Sequence, residues 1–300
     1  MFQLGGQKNG SLCCVTLHAG GIAVAVTSAS RSGISHCAFL PAATLKEAYK
    51  LLADFVSQHR LKGSACHFVL QPNQYRLLYL DTPLVLEEEL SKAARWLVKD
   101  LLQYPIDQSA IDVVQIPVRG GQPNKMYVIA AQLDELRQLT DSLHKVGLRV
   151  VNINIIELAL SALLALKPES EQGVALLYCD DRVIHLMISQ SGVLRMVRDV
   201  GEIAHLDSPE GRDRLSLEIQ RSLDFYQSYL GDRRPAKVFL APGFLQLPSA
   251  ESLFGSALLL PVEVLDLSEE LPLAASIDKQ DVAQCFAVIG QALQAQGTVV

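Results

Sequence analysis

The sequence lacks any concentrated positive charge. It carries 26 Lys and Arg residues against 32 Asp and Glu residues, which gives a net charge of −6 over 300 residues. The one compact basic pair, Arg233-Arg234, directly follows Asp232 and is predicted to lie in a solvated turn. Because a nucleic-acid-binding surface needs cations that displace counterions from phosphates, the composition argues against nucleic acid as a partner.

No hydrophobic run is long enough to cross a membrane. The most apolar stretch, residues 153–166, includes Asn154 and Glu157 and is shorter than the roughly 20 residues that a spanning helix needs. It is therefore predicted to be a buried helix. No charged and then apolar leader opens the chain, so we do not expect secretion through a signal peptide. These features favour a cytoplasmic protein.

Motifs of the common catalytic and metal-binding sites are also missing. The sequence has no Walker A loop, no G-x-S-x-G and no H-E-x-x-H. Its six cysteines form no C-x-x-C pair, and Cys13 and Cys14 point to opposite faces of a predicted strand. We expect buried thiols in a reducing compartment rather than metal ligands. The seven histidines have no ligand spacing, and His185 is predicted to be a hydrogen-bonded core residue.

The clearest positive signal is a helix with both ends marked. Ser208 suits the N-cap, Pro209 suits the first helical position, and Gly231 suits the residue just beyond the end. A strand over residues 238–240 and a sharp Ala-Pro-Gly turn at 241–243 follow. At about 100° per residue, one face of the helix is apolar: Leu215, Ile219, Leu223, Phe225, Tyr226, Tyr229 and Leu230.

A strand meander followed by a helix occurs twice in the chain. The predicted strands cover residues 12–17, 22–27 and 34–40 in the first copy and 174–179, 183–189 and 193–200 in the second. In the first copy the helix is predicted over residues 44–59, where Thr44 and Glu47 form a capping box. In the second copy it is the helix that begins at Pro209. The repeat predicts a duplicated α/β architecture.

Residues 74–131 are predicted to form an inserted unit with strands at 75–80, 111–117 and 125–131. A helix is predicted over residues 87–102, and its apolar face is predicted to consist of Leu90, Ala94, Leu97 and Leu101. Trp96, the only tryptophan, lies off this face. The other predicted helices cover residues 134–146, 154–166 with Asn154 as N-cap, 249–254 and 281–294. The other predicted strands cover residues 66–70, 148–153 and 262–265.

The run EIQRSLDFY at residues 218–226, with the strand and small-residue turn that follow, resembles the late segment of PilM-like proteins, actin-fold components of type IV pilus assembly. Within that family the match is best to the MshI type, which serves the mannose-sensitive haemagglutinin (MSHA) pilus. Three more segments resemble the family: LEEELSKAARWLVKDLLQYPID at 86–107, GLRVVNINIIELAL at 147–160 and CFAVIGQAL at 285–293. The resemblance covers nearly the whole chain.

The resemblance implies an α/β, actin-like (ribonuclease H-like) fold that is duplicated in two lobes and carries a small inserted subdomain. Residues 1–73 and 132–170 are then expected to form the first lobe, and residues 171–300 the second. Residues 74–131 are expected to form the inserted subdomain.

The resemblance also implies a nucleotide site, but its residues are degenerate here. The family's two hairpins begin with Asp-x-Gly, so that a glycine-rich turn can approach phosphate. By the resemblance, Thr16 and Tyr178 stand at the Asp positions of the two hairpins and His18 and Asp180 at the Gly positions, and Pro242 replaces a glycine of the third turn. The candidate cofactor-binding residues of these degenerate loops are Thr16, His18, Gly20, Gly21, Tyr178, Asp180, Pro242 and Gly243. We expect a pseudo-ATPase with no cofactor, or with ATP and Mg²⁺ held only weakly. Two alternatives stay open. Asp180 and Asp181 could bind a metal ion as a pair instead of being ordinary turn residues, and Gly20-Gly21 could bind an anion instead of only forming a turn.

By resemblance, the chain is expected to be a non-catalytic scaffold at the cytoplasmic face of the inner membrane of a Gram-negative bacterium. Its expected partners are the tail of a PilN-like bitopic membrane protein and other pilus assembly proteins, with a homo-oligomer as a further option. An extended tail can add to a sheet edge, here expected at 75–80 or 125–131. The expected contact residues are Tyr75, Leu77, Trp96 and Tyr127. The alternative is that they only pack the subdomain onto its lobe.

Two other functions stay open at this point. One is a working actin-fold ATPase of the pilus or type II secretion machinery, whose loops bind nucleotide in an unusual way. The other is the cytoplasmic domain of a type II secretion protein. Such a domain normally continues into a membrane span, whereas this chain ends at Val300 without one.

Overall fold

The computed structural model describes residues 2–3, 10–18, 20–27, 33–116, 124–180, 182–229, 233–242, 244, 250–267, 277 and 279–297. The chain forms two compact units. One contains residues 1–22 and 40–156, and the other contains residues 23–39 and 157–300. The division into two lobes and a subdomain at residues 74–131 stays a prediction.

The strands of the described residues form three sheets. They are β1 (Phe2–Gln3), β2 (Leu12–His18), β3 (Gly21–Thr27), β4 (Ile34–Pro41), β5 (Ala65–Leu70), β6 (Arg76–Asp81), β7 (Ser109–Ile116), β8 (Lys125–Gln132), β9 (Arg149–Ile155), β10 (Val174–Cys179), β11 (Val183–Gln190), β12 (Val193–Glu202), β13 (Lys237–Leu240) and β14 (Val262–Val264).

The α-helices of the same residues are α1 (Leu45–Gln58), α2 (Leu90–Val98), α3 (Leu133–Val146), α4 (Ile156–Leu164), α5 (Pro209–Tyr229), α6 (Ala250–Leu258), α7 (Lys279–Gln284) and α8 (Phe286–Ala295). Short 3₁₀ turns cover Pro72–Gln74, Glu87–Glu89, Ile106–Gln108, Pro168–Gln172 and Ile203–Asp207. No helix in the described part of the chain is both long and apolar enough to span a bilayer.

Two of the sheets share one strand order. The larger sheet has the order β1-β9-β5-β2-β3-β4, and the second has the order β12-β11-β10-β13-β14. In both, a three-strand meander lies on one side, and two later strands add in parallel beside its first strand. This matched order is the repeat that the two sequence meanders predict. The short strand β1 is an addition to the first sheet.

Helix α5 begins where the sequence predicts. Ser208 Oγ accepts the backbone N–H of Gly211 at 3.1 Å, which is the N-cap bond expected at this end. Phe225 lies at the margin of the apolar face and is 39% exposed. The rest of that face is buried where the structure describes it: Leu215, Ile219, Leu223 and Tyr226. Leu230 and Gly231 lie outside the described residues.

Helix α2 covers the third sheet, whose order is β6-β8-β7, and it is shorter than predicted. The side chains in its core contact are spaced by four residues: Leu90, Ala94 and Val98. The predicted placement of Leu97 and Leu101 on this face is wrong, since they are 47% and 54% exposed. Val98 takes the buried position instead, and the regular helix ends before Leu101.

Two other helix boundaries differ from the prediction. Asn154 lies inside β9, and α4 begins two residues later, so Asn154 is not its N-cap; its Oδ1 accepts the N–H of Ile155 at 2.9 Å. The predicted terminal helix is broken into α7 and α8 at Cys285. The backbone N–H of Cys285 donates to Asp281 O at 2.8 Å, which closes α7 before α8 starts.

Candidate functional site

The first hairpin turn follows β2, in which the Thr16 hydroxyl already donates its single proton to a hydrogen bond. Thr16 is buried; its Oγ1 donates to Val69 O at 2.8 Å and accepts from Gln71 Nε2 at 2.7 Å. His18 is half-buried. The Gly20 carbonyl accepts the Ala42 N–H at 2.9 Å. Thr16, which stands where the resemblance places an Asp, carries a hydroxyl instead of a carboxylate. This hydroxyl links β2 to the end of β5 through its hydrogen bonds to Val69 and Gln71.

Glycine in this turn has a backbone role. Gly21 begins β3 with a φ of +154°, a conformation that favours glycine. Gly20 has open space around the position of a Cβ. Ala19, between His18 and Gly20, lies outside the described residues.

The second hairpin turn joins β10 to β11, and Tyr178 is the last fully buried residue before it. The Tyr178 hydroxyl donates to Glu157 Oε1 at 2.9 Å. The pKa of Tyr178 is raised well above its usual value, mainly by burial and to a smaller extent by the neighbouring Glu157 carboxylate. The phenol therefore stays protonated and acts as the donor. Its ring stacks on the His185 ring with centroids 4.8 Å apart.

Asp180 binds the backbone of its own turn. Its Oδ1 accepts the N–H of Arg182 at 2.8 Å and the N–H of Val183 at 2.7 Å. Its Oδ2 lies 3.1 Å from His185 Nε2. Burial raises the pKa of Asp180, but these hydrogen bonds outweigh it and the net pKa is lowered. An ionised carboxylate therefore occupies the N–H groups of this turn.

His185 joins that carboxylate to the next strand. Its Nδ1 lies 2.7 Å from Asp199 Oδ1 on β12. Burial lowers the pKa of His185, yet the hydrogen bonds to Asp199 and Asp180 exceed this effect and raise the pKa above 6.5. The prediction that His185 is a hydrogen-bonded core residue is confirmed. The sequence analysis missed its two partners, although pairing the strands in register sets His185 opposite both Tyr178 and Asp199.

The third turn follows β13. The Ala241 N–H donates to Leu177 O at 2.8 Å, and Pro242 is buried. Because proline has no N–H, position 242 offers no backbone donor to a ligand. Gly243 lies outside the described residues, as does Asp181 of the second turn. Among the described residues, no group of three or more His, Cys, Asp or Glu side chains is arranged to hold a metal ion.

The candidate residues thus fall into separate groups. Tyr178 and Asp180 share one network through His185, in the unit that also contains Pro242. Thr16, Gly20 and Gly21 belong to the other unit, where Thr16 has its own bonds to Val69 and Gln71.

The predicted partner residues occupy different environments in the third sheet. Strand β6 is an outer strand, but β8 is paired on both sides, so the prediction that residues 125–131 form an edge is wrong. Tyr75 and Tyr127 are buried, the latter beside the Tyr79 ring at 5.3 Å. Leu77 is half-buried, and Trp96 is 70% exposed.

A cleft that the sequence did not reveal adjoins the start of β6. Its volume is about 390 Å³, and it is lined by Pro72, Asn73, Gln74, Tyr75, Arg76, Gln103, Tyr104, Gln132 and Glu135. Burial raises the pKa of Tyr104, while the charge of Arg76 lowers this pKa and the charge of Glu135 raises it. The lining therefore offers amides, two phenols, one cation and one anion.

No protein-family model and no curated protein sequence matches the chain, but solved structures do. A chain of the PilM–PilN type IV pilus biogenesis complex is similar with a TM-score of 0.75 and 18% identity, over 96% of this chain and 99% of that one. The cytoplasmic domain of EpsL, an inner membrane component of the Vibrio cholerae type II secretion system, is similar with a TM-score of 0.52 and 15% identity. The match covers 96% of this chain and 94% of that one. A Bacteroides thetaiotaomicron protein with an actin-like ATPase fold is similar with a TM-score of 0.52 and 9% identity. The match covers 93% of this chain and 96% of that one.

The fold is actin-like. The likeness extends over nearly the full length of each of the three chains, and the two matched sheets supply the duplication. The predicted α/β actin-like fold class is confirmed.

Proposed function

We propose that this chain is a non-catalytic scaffold of type IV pilus biogenesis that holds the cytoplasmic tail of a PilN-like inner-membrane protein. The actin-like fold, with its similarity to a chain of the PilM–PilN complex, supports the pilus assignment. The MshI-like run at residues 218–226 supports a place in MSHA-type pili. The scaffold lies in the cytoplasm, and its partner's tail keeps it at the membrane.

The observation that carries the non-catalytic role is the Asp180 carboxylate. Backbone N–H groups of a turn can bind phosphate when nothing else uses them. Here Arg182 N–H and Val183 N–H already donate to Asp180. A phosphate at this turn would displace a carboxylate that His185 also holds, or would lie beside its negative charge. Either outcome opposes nucleotide binding.

The other two turns support the same conclusion. Thr16 supplies no carboxylate for a hydrated metal ion, and its hydroxyl proton is directed to Val69 O. Pro242 supplies no N–H. The first and third turns therefore each lack a group that a phosphate or its metal requires, and in the second turn the N–H groups are already hydrogen-bonded to Asp180.

The outer strand β6 and the polar cleft beside it form the proposed tail site. An extended peptide gains affinity by pairing its backbone with an exposed strand edge, and side-chain contacts supply the choice of partner. Arg76 begins β6 and also lines the cleft, so one residue can serve both parts of the site. Glu135, which also lines the cleft, can select a basic residue of the tail.

The test is a calorimetric titration of the full chain with a synthetic peptide of the cytoplasmic tail of the PilN-like protein from the same organism. We expect saturable binding. Arg76→Glu should weaken it about tenfold, or about 1.4 kcal/mol, because an exposed cation of the site is reversed. Arg214→Glu, at an exposed position of α5, is the matched control and should bind normally. No binding by the unaltered chain, or an equal loss in both variants, would contradict the proposal.

A further inference from the structure

A further cavity lies beside α2, apart from the cleft at the start of β6. Its volume is about 290 Å³, and it is lined by Lys92, Arg95, Trp96, Lys99 and Ile106. The first four recur at spacings of three and four residues, which bring side chains to one side of a helix. None of these residues lines the cleft proposed for the tail, so this cavity, here called the Trp96 cavity, is a separate site.

The lining of the Trp96 cavity carries three cations and no carboxylate. Lys92 and Lys99 are exposed, and Arg95 is half-buried. Within the part of the chain that the structure describes, none of the three forms an ion pair. The whole chain has a net charge of −6, so a cluster of cations without a counter-charge runs against its overall balance. Such a cluster attracts an anion from solution.

Backbone carbonyls of the segment that follows α2 hold Arg95 in place. Its Nη1 donates to Ser109 O at 3.1 Å, and its Nη2 donates to Ile106 O at 2.6 Å. Ser109 Oγ in turn donates to Pro105 O at 3.0 Å, which fixes the same segment. A guanidinium has five N–H donors, so these two bonds leave donors for a ligand. Its planar fork matches the oxygens of a phosphate group.

Trp96 gives the cavity a flat apolar wall. Its side chain is 70% exposed, and Lys99 Nζ lies 5.5 Å from the ring centre. Ile106 is half-buried and packs on the core beneath α2, so the apolar side of the cavity has a fixed base. Aromatic rings stack in offset geometry, so the lining accepts a ring as well as an anionic group.

We propose that the Trp96 cavity binds a phosphate monoester of a small aromatic compound. A phosphate monoester carries a charge of about −1.5 to −2 near neutral pH, which Lys92, Arg95 and Lys99 can balance while its ring stacks on Trp96. A volume of about 290 Å³ is at the lower end for ligand cavities, so it suits one ring with one phosphate rather than a nucleoside triphosphate. This inference goes beyond the proposed function and does not depend on it.

A lipid headgroup offers the same phosphate chemistry, but a bilayer fits this part of the surface less well. The neighbouring carboxylates of Glu88, Glu89, Asp100 and Asp107 are exposed and do not line the cavity. They oppose the approach of a flat anionic membrane. A small ligand can instead enter among the three cations without covering these carboxylates. The charge pattern therefore favours a ligand that is free in solution.

The experiment titrates the full chain with phenyl phosphate and follows the fluorescence of Trp96, the only tryptophan of the chain. We expect a saturable change with a dissociation constant of about 1 mM or lower, as the binding energy per atom of small ligands allows. Inorganic phosphate lacks the ring and phenol lacks the charge, so each should bind about tenfold or more weakly.

Variants that keep Trp96 as the reporter test the cations. Lys92→Gln/Lys99→Gln should weaken the binding of phenyl phosphate about tenfold or more, because two charge-assisted contacts are lost. Lys46→Gln/Lys50→Gln, an exposed pair on α1, removes the same charge elsewhere and should bind normally. Melting temperatures of both variants should match that of the unaltered chain, because all four lysines are exposed.

Three results would overturn the proposal: a fluorescence change that does not saturate, phosphate or phenol binding as tightly as phenyl phosphate, or equal affinities of the two double variants. A shift of the Trp96 emission that phosphatidylglycerol vesicles produce and phenyl phosphate does not would assign the cavity to lipid headgroups, and would overturn the proposal as well.

Discussion

Asp180 and His185 join three parts of one meander through their side chains. Asp180 holds the N–H groups of Arg182 and Val183, while His185 contacts both Asp180 and Asp199. One imidazole therefore links the turn after β10 to the edge strand β12. A glycine in place of Asp180 would remove the carboxylate that accepts these two N–H groups.

The raised pKa of His185 predicts a dependence of stability on pH. Since the folded pKa lies above the unfolded value of 6.5, protonation of His185 favours the folded state. That stability is fully present below pH 6.5 and is lost as the pH rises through the folded pKa. Asp199→Asn should lower the pKa of His185 by removing one charged partner, and should cost about 1 kcal/mol at pH near 6, a small value because solvent screens the exposed Asp199 carboxylate.

The measurement is urea unfolding of the unaltered chain and of Asp199→Asn at pH near 6 and pH near 8, with the His185 pKa followed by NMR. The difference in the free energy of unfolding between the two proteins should shrink at the higher pH. Asp224→Asn, at an exposed site on α5, is the control. A difference that stays constant with pH, or an unchanged His185 pKa, would refute the role of the bridge.

Elements of the second unit approach one another closely where α8 meets α4. A Cβ at Gly290 would lie 2.2 Å from the carbonyl oxygen of Ala159, which is backbone and cannot move aside alone. Gly290→Ala should therefore destabilise the fold by about 2–3 kcal/mol, seen as a lower midpoint of urea unfolding.

Gly255 of α6 is the matched control for that substitution. Its added Cβ would meet its nearest atom, from Val262, only at 4.0 Å. Gly255→Ala should leave stability unchanged or raise it by less than about 1 kcal/mol, as helix propensity predicts. Equal effects of the two substitutions would show that the helix contact does not limit the space at Gly290.

Elements whose ends depend on local chemistry were predictable from the sequence. Thr44 Oγ1 accepts the N–H of Glu47 at 3.2 Å, Gly147 ends α3 with a φ of +97°, and Ser208 caps α5. Each needs only neighbours in the chain. Placement that depends on distant partners was not predictable: β8 lies between β6 and β7, and Val98 rather than Leu97 faces that sheet.

The candidate site shows the same division. The replacement of Asp and Gly residues at Thr16, Tyr178 and Asp180 is visible in the sequence. The occupation of the turn amides by Asp180 is not, because it depends on how a side chain folds back onto residues 182 and 183. Likewise, the cleft at Arg76 and Glu135 is formed by segments about 60 residues apart in the chain.

For the whole molecule, the actin-like fold provides two matched sheets, and the described parts of the three turns carry Thr16, Asp180 and Pro242. Thr16 serves the first sheet as a buried hydrogen-bonding residue, and Asp180 closes a turn of the second. What the fold retains is a polar cleft and an outer strand at β6. We therefore propose that the molecule holds a peptide without a nucleotide cycle.

The most direct test of this central claim is the affinity of the full chain for the PilN-like tail peptide, measured by calorimetry with and without Mg-ATP. We predict that the dissociation constant is the same within about twofold under both conditions, because a site that binds no nucleotide has no coupling free energy to transmit. Tail binding that requires Mg-ATP, or that changes about tenfold or more when Mg-ATP is added, would contradict the account.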